Sequence, residues 1–108
     1  MGLERHDGWW RWVGGPVAPG ASATTLGRLV LVREEAAGDE HLMRHELVHV
    51  EQWRRLGVPG FLRRYVGAYL HWRLRGYGHW AAYRRIPLEV EAEWRARTMP
   101  LDRTTARL

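Results

Sequence analysis

The segment that most constrains this chain is His45-Glu46-Leu47-Val48-His49, an H-E-x-x-H pattern inside an expected helix over 42–56. Residues four apart lie on one face of a helix, so His45 and His49 can offer two imidazole nitrogens to one metal ion. Glu46 follows the first of them, where its carboxylate can reach a water molecule on that metal. The pattern therefore provides two metal ligands and a base, which are the parts that a zinc hydrolase needs.

The alternative to a metal site is a solvated helix that carries two unrelated histidines. Apolar residues at Leu42, Val50 and Trp53 argue against it, because the two histidines lie on or beside the stripe that they form. Histidines on such a stripe are expected to be partly buried, and a buried polar group needs a partner. A metal ion would supply that partner, so the pattern favours the metal site.

A catalytic zinc site needs a third protein ligand, and the chain has no cysteine to provide it. The best candidate segment is a predicted helix that begins at Pro87, a residue suited to a first helical turn. Glu89 and Glu93 are four apart and share a face, whereas Glu91 points roughly the other way. That face can provide one ligand, with Glu89 preferred, and one acceptor that orients a histidine. Three solvated glutamates are the alternative.

Two stretches, 44–53 and 87–93, together resemble the gluzincin-type zinc metallopeptidases of the smallest, single-domain kind. In that family, the second helix carries an E-x-x-A-D type signature, whose first Glu binds zinc and whose final acidic residue holds a histidine ligand. The resemblance implies that Glu89 is the third zinc ligand and that Glu93 is the orienting acid. Glu93 departs from the family, which usually has Asp there.

The elements expected around these motifs give an α+β, zincin-like fold with three main helices and a short sheet of two or three strands. The clearest strand is 27–33, and either 23–25 or the Trp-rich segment at 9–12 is expected to pair with it. Asp39 is a good N-cap and Gly57 a good end for the motif helix. The remaining expected helices cover 61–75, 79–85 and 87–98, while 1–20 is expected to be an irregular N-terminal segment and 100–108 a loose tail.

The resemblance also implies a function, which is hydrolysis of peptide bonds in a peptide or protein substrate. Zn²⁺ would be held by the two histidines and Glu89, and Glu46 would be the general base. Tyr83 and His79 are candidate donors to the oxyanion. In such peptidases an edge strand pairs with the extended substrate, and 28–33 is the candidate. The tail is expected to restrain activity by folding back, with Asp102 directed toward zinc.

The composition of the chain bears on its number of domains, its partners and its location. One domain over 1–108 is expected at this length, and all seventeen basic residues are arginine, for a net charge of +5. The arginines are spread along the chain without a block, which favours a solvated surface and predicts no specific nucleic-acid partner. No signal peptide or membrane span is visible in the sequence, so a cytoplasmic location is expected. Oligomeric state is left open.

A rival function is a zinc-stabilised binding domain without turnover, which would serve an acidic partner, nucleic acid or a membrane surface. A closed structural site would need a fourth ligand, for which His41, Glu93 and Asp102 are candidates. The presence of Glu46 favours catalysis, because a structural zinc site would not need a base there.

Overall fold

A computed structural model describes residues 2–98 of the chain, and the α+β class is confirmed. The described part forms one four-stranded sheet and three helices. The strands are β1 (Gly2–His6), β2 (Trp9–Val13), β3 (Ala23–Leu26) and β4 (Leu29–Val32). The helices are α1 (Glu40–Leu74), α2 (His79–Tyr83) and α3 (Pro87–Thr98). Residues 99–108, on which the expected loose tail over 100–108 and the role of Asp102 depend, lie outside the described residues.

The sheet consists of two hairpins joined side by side, in the order β1-β2-β4-β3. The pairs β1–β2 and β3–β4 are antiparallel, whereas β2 and β4 run parallel with Trp10 opposite Leu29. The two-residue connection between β3 and β4 begins at Gly27, whose φ of 63° is one that glycine adopts without strain. This order places β3 and β1 at the two edges and β4 inside the sheet.

Three sequence expectations about the sheet are wrong. The irregular segment expected over 1–20 contains both β1 and β2, and the sheet has four strands rather than two or three. The strand at 29–32 is paired on both sides, by β2 and by β3, so it is not an edge strand. The Trp-rich segment at 9–12 pairs with this strand, as one of the two expected alternatives. Its strand character is weak in the sequence because only Trp9 faces the core, while Trp10 and Trp12 point outward and leave no clear apolar alternation.

Helix α1 is divided by a kink at Gly57. Asp39 caps its start by accepting a hydrogen bond from the Leu42 amide at 3.0 Å, as its residue type predicts. Gly57 has φ 73° and ψ 166°, a conformation that a residue with a side chain adopts only under strain. Pro59 lies in the turn that follows, where its missing amide proton costs little. We call residues 40–56 the first arm and residues 58–74 the second arm.

The first arm lies between the sheet and α3. Its residues Met43, Leu47 and Val50 pack against Trp9 and Val30 of the sheet in one apolar cluster. A second cluster, behind the kink, joins the two arms to the start of α3. Its buried members are Trp53, Phe61, Ile86 and Leu88, and the rings of Trp53 and Phe61 stack with centroids 4.0 Å apart. The polar residues Glu46, His49 and Gln52 of the first arm are accordingly buried.

None of the helices within residues 2–98 combines the length and the apolar character that a membrane span requires.

Candidate metal centre

Three side chains from two helices meet at one point. His45 Nε2 lies 2.8 Å from Glu89 Oε1, and His49 Nε2 lies 3.1 Å from the same oxygen. One ligand atom from each of the three residues lies within 4.8 Å of the other two. The structure thus brings together the two motif histidines and the glutamate of α3 that the sequence analysis selected. Two imidazoles and one carboxylate are a ligand set that suits zinc.

The other ring nitrogen of each histidine is held by its own acceptor. His45 Nδ1 lies 3.1 Å from Glu93 Oε1, and His49 Nδ1 lies 2.8 Å from Gln52 Oε1. An acceptor at Nδ1 places the proton of a neutral imidazole there and leaves the Nε2 lone pair for a metal. Both histidines are thus oriented with Nε2 toward Glu89, the arrangement in which such rings bind zinc.

The Nε2 atom of His49 tests whether the three residues fit a metal ion. It is fully buried and has no hydrogen-bond partner, because its ring is not aligned with Glu89 Oε1 in spite of the short distance. A buried polar atom without a partner is costly and calls for an explanation. A metal ion shared with His45 and Glu89 would satisfy it. The residues present therefore fit a zinc ion.

Gln52 is a site residue that the sequence analysis missed. It is completely buried, and its amide nitrogen donates to the Leu88 carbonyl at 2.9 Å and to Glu91 Oε1 at 2.7 Å. With its oxygen on His49, every polar group of the amide has a partner, and the first arm is tied to α3. The sequence could have identified Gln52, since it follows His49 by three residues and so lies on the same helical face.

Glu46 is held beside the cluster by a residue of the sheet. Its side chain is buried, and Thr25 Oγ1 donates to Glu46 Oε1 at 2.7 Å. The indole nitrogen of Trp53 donates to the Thr25 backbone carbonyl at 3.2 Å. The edge strand beside the site is thus β3, and the expectation that 28–33 plays this part is wrong, because pairing on both sides leaves β4 no free edge. Sequence reasoning could not link Thr25 to Glu46, which is twenty-one residues away.

Tyrosines flank the carboxylate of Glu89. Tyr65, on the second arm, donates its hydroxyl to Glu89 Oε2. Tyr83, at the end of α2, is near enough for the same carboxylate to act on its phenol. Burial, and then the Glu89 carboxylate, raise the pKa of each phenol, so both remain protonated donors. His79 differs, because it is exposed and its Nδ1 pairs with the Tyr69 hydroxyl at 3.0 Å.

The charges of the cluster depend on one another. Burial alone would lower the pKa of His49, but the Glu89 carboxylate outweighs burial and raises it to about 9. The pKa of His45 is raised by the same carboxylate against the same effect of burial. Burial would raise the pKa of Glu89, yet the two imidazoles hold it well below its usual range. The anionic Glu89 thus stabilises positive charge at the point where the Nε2 atoms meet.

Glu93 serves the histidines from outside the cluster. Besides His45 Nδ1, it accepts from His41 Nε2 at 3.0 Å and from Arg97 at 3.0 Å. Burial would raise the pKa of Glu93, but His45 and these two neighbours lower it. Because Glu93 contacts Nδ1, on the other side of the ring from Nε2, it does not face the point shared by the three ligand atoms. His41 is connected to the cluster through Glu93 and so lies farther from the shared point than Glu93 does.

Comparison with known proteins gives one match. The family model of the eCIS core domain, a domain of the extracellular contractile injection system, matches residues 17–57. No curated protein and no solved structure matches the chain. The matched segment contains β3, β4 and the first arm, and with them His45, Glu46 and His49. It ends at the kink, so Glu89 and Glu93 lie beyond it.

Proposed function

We propose that this protein is a zinc-dependent metallopeptidase in which Glu46 is the general base for hydrolysis of a peptide bond. The observation that carries the proposal is the convergence of His45, His49 and Glu89, in which the buried Nε2 of His49 makes no hydrogen bond and the Glu46 carboxylate is near enough to act on the His49 ring. A binding domain would need no such carboxylate. His45, His49 and Glu89 would hold the ion, which when bound supplies a water molecule of lowered pKa and polarises the substrate carbonyl.

The part of Glu46 follows from its surroundings. Thr25 fixes one carboxylate oxygen by a hydrogen bond of 2.7 Å, and burial limits competition from bulk water. A carboxylate held in this way accepts the proton of the attacking water as the carbon–oxygen bond forms. It then delivers that proton to the nitrogen of the leaving amine as the peptide bond breaks. The two transfers return Glu46 to its starting charge.

Tyr83 is the better of the two proposed oxyanion donors. Its phenol is protonated at neutral pH, and burial and then Glu89 raise its pKa further, so it can donate a hydrogen bond to an oxygen that becomes negatively charged. The part proposed for His79 stays a prediction with less support, because its ring is exposed and engaged with Tyr69.

An extended peptide would pair with the edge strand β3. The amide of Arg33 donates to the carbonyl of Ser22, so Ser22 and every second residue after it bond to β4. The backbone groups of Ala23 and Thr25 therefore point away from β4, on the side of the sheet where a substrate strand can add. Trp53 already bonds the Thr25 carbonyl, which leaves the backbone groups of Ala23 and the amide of Thr25 for the substrate.

The rival function, a closed zinc site in a binding domain, has less support. Within residues 2–98 the group of possible ligands has three members, and catalytic sites keep the fourth position for water. The eCIS core match adds a context to the proposal, in which the protein acts with an extracellular contractile injection system. The cytoplasmic location expected from the sequence stays a prediction.

The proposal is tested with Glu46→Gln against the wild type in a mixed peptide library, with zinc content measured in parallel. We expect hydrolysis to fall by about a hundredfold to ten-thousandfold while zinc stays at one ion per chain, because Glu46 acts on water and not on the metal. Glu40→Gln, an exposed glutamate at the start of the same helix, is the control. Loss of zinc in Glu46→Gln, or a zinc-loaded wild type that cleaves nothing, contradicts the proposal.

A further inference from the structure

Acidic residues are missing from one whole section of the chain. Residues 52–88 contain eight arginines and no aspartate or glutamate. All eight arginines are exposed. In the rest of the chain, twelve acidic residues outnumber nine arginines. The even spacing of arginine conceals this asymmetry, because the acidic residues are segregated rather than the basic ones. The section runs from the end of the first arm, which carries Arg54 and Arg55, through the kink, the second arm and α2 to the start of α3. The excess positive charge is therefore concentrated on this helical part.

The second arm also exposes a stripe of aliphatic side chains. Its members recur every four residues, and each is at least 44% exposed: Val58, Leu62, Val66, Leu70 and Leu74. The side of the arm that faces the core is occupied, since Phe61 is buried and Tyr65, Ala68 and Tyr69 pack on the second apolar cluster. Within residues 2–98, no element covers the stripe. An exposed apolar patch with a charged surround indicates an interaction surface.

Two arginines of the second arm lie on the same helical face as the aliphatic stripe. At ~100° per residue, Leu62 and Leu70 lie about 40° to either side of Val66. Arg73 falls about 20° from Val66 and Arg63 about 60° from it on the same geometry. The face that exposes aliphatic groups therefore also presents guanidinium groups, whose long side chains can bend away from an apolar layer while their carbons remain in it.

We infer that the second arm is a docking surface for an anionic lipid bilayer, with its aliphatic stripe in the interface and its arginines on lipid phosphates. Helices at a membrane interface bind by burying apolar groups while neighbouring basic side chains are attracted to anionic lipids. A second copy of the chain is disfavoured, because the two faces would bring like charges together. Nucleic acid would engage the arginines but would leave the aliphatic stripe in water. The inference does not depend on the peptidase proposal, since it uses none of the site residues.

The test is co-sedimentation of the full chain with vesicles of phosphatidylcholine, alone or with about one-third phosphatidylglycerol. We expect binding to the anionic vesicles that weakens as salt is raised, and little binding to the neutral ones. Leu62→Ser/Val66→Ser/Leu70→Ser should weaken binding by about tenfold or more. Arg63→Gln/Arg73→Gln should weaken it by about fivefold for each charge removed. Circular dichroism and melting temperature establish that each variant is folded.

Matched controls remove the same groups elsewhere. Leu3→Ser/Leu26→Ser/Val90→Ser removes three aliphatic side chains that are 60%, 55% and 53% exposed, and Arg28→Gln removes an exposed charge. Both should bind as the wild type does. No binding to anionic vesicles, equal binding to neutral vesicles, or equal loss in the controls would overturn the inference. A chain that binds a DNA duplex and ignores the vesicles would do the same, and so would full binding by a folded stripe variant.

Discussion

The metal cluster has two sides, the first arm and helix α3. Their local sequences differ in how much of the site they predict. The first arm contributes His45, Glu46 and His49 within five residues, and the eCIS core model matches this part. Helix α3 contributes Glu89 and Glu93, forty residues or more from the histidines they meet. The first side is defined by helical spacing alone, whereas the second is defined only by the packing of one helix on another.

The two histidines of the cluster are nevertheless held in the same way. Each histidine presents Nε2 to Glu89 and has its Nδ1 held by an acceptor. For His49 the acceptor is Gln52, on its own arm, and for His45 it is Glu93, on the opposite helix. Gln52 in turn donates to the Leu88 carbonyl. The difference teaches that a local motif supplies ligands, but that bonds across the helix interface orient them.

If both sides hold the ion, removing a ligand from either should have the same, and the largest, effect. We expect His49→Ala and Glu89→Ala each to reduce bound zinc from one ion per chain to a trace, because a three-ligand site that loses one ligand binds weakly. Elemental analysis of protein dialysed against a fixed zinc concentration measures this. His71→Ala, an exposed histidine of α1, is the control. Full zinc content in Glu89→Ala would place the third ligand elsewhere.

The orienting acceptors should show a smaller effect that is equal on the two sides. Gln52→Ala and Glu93→Ala should each weaken zinc binding by about tenfold to a hundredfold, the range for partners behind a metal ligand. Titration against a competing chelator gives both constants. Gln52→Ala should also lower the melting temperature more than Glu93→Ala, because Gln52 is fully buried and its removal leaves the Leu88 carbonyl without that donor. Wild-type affinity in either variant would break the symmetry.

These contacts explain how much the sequence could predict. Asp39, Gly57 and Pro87 have strong local preferences, and the helix ends that they predict are where the structure has them. The motif histidines and the shared face of Glu89 and Glu93 follow from the helical period. Thr25 and Tyr65 could not be found in this way, since they reach Glu46 and Glu89 only after the sheet and the second arm have packed. The strand at 2–6 was missed and the strand at 9–13 was expected only as one of two alternatives, because pairing, rather than their own apolar pattern, stabilises them.

Thr25 tests whether the sheet contributes to chemistry beyond metal binding. Thr25→Val keeps the shape of the side chain and its preference for a strand but removes the donor to Glu46. We expect kcat to fall by about tenfold, the value of a hydrogen bond to a charged group, with zinc affinity and KM near wild type. Thr25→Ser restores the hydroxyl and should recover most of the rate. Loss of zinc in Thr25→Val, or no recovery in Thr25→Ser, would assign Thr25 to folding instead.

The smallest effect on zinc affinity is expected at Glu91. This residue of α3 contacts the first arm through Gln52 rather than through a histidine. Glu91 is neither a ligand nor a partner of a histidine, but it accepts from Gln52 Nε2 at 2.7 Å and pairs with Arg55 at 3.3 Å. Gln52 keeps its bond to the Leu88 carbonyl when Glu91 is removed, and a partly exposed ion pair contributes little. Glu91→Ala should therefore weaken zinc binding by no more than about threefold in the chelator titration. An effect as large as that of Glu93→Ala would mean that His49 is oriented from α3 through Gln52, and that both histidines depend on the second side.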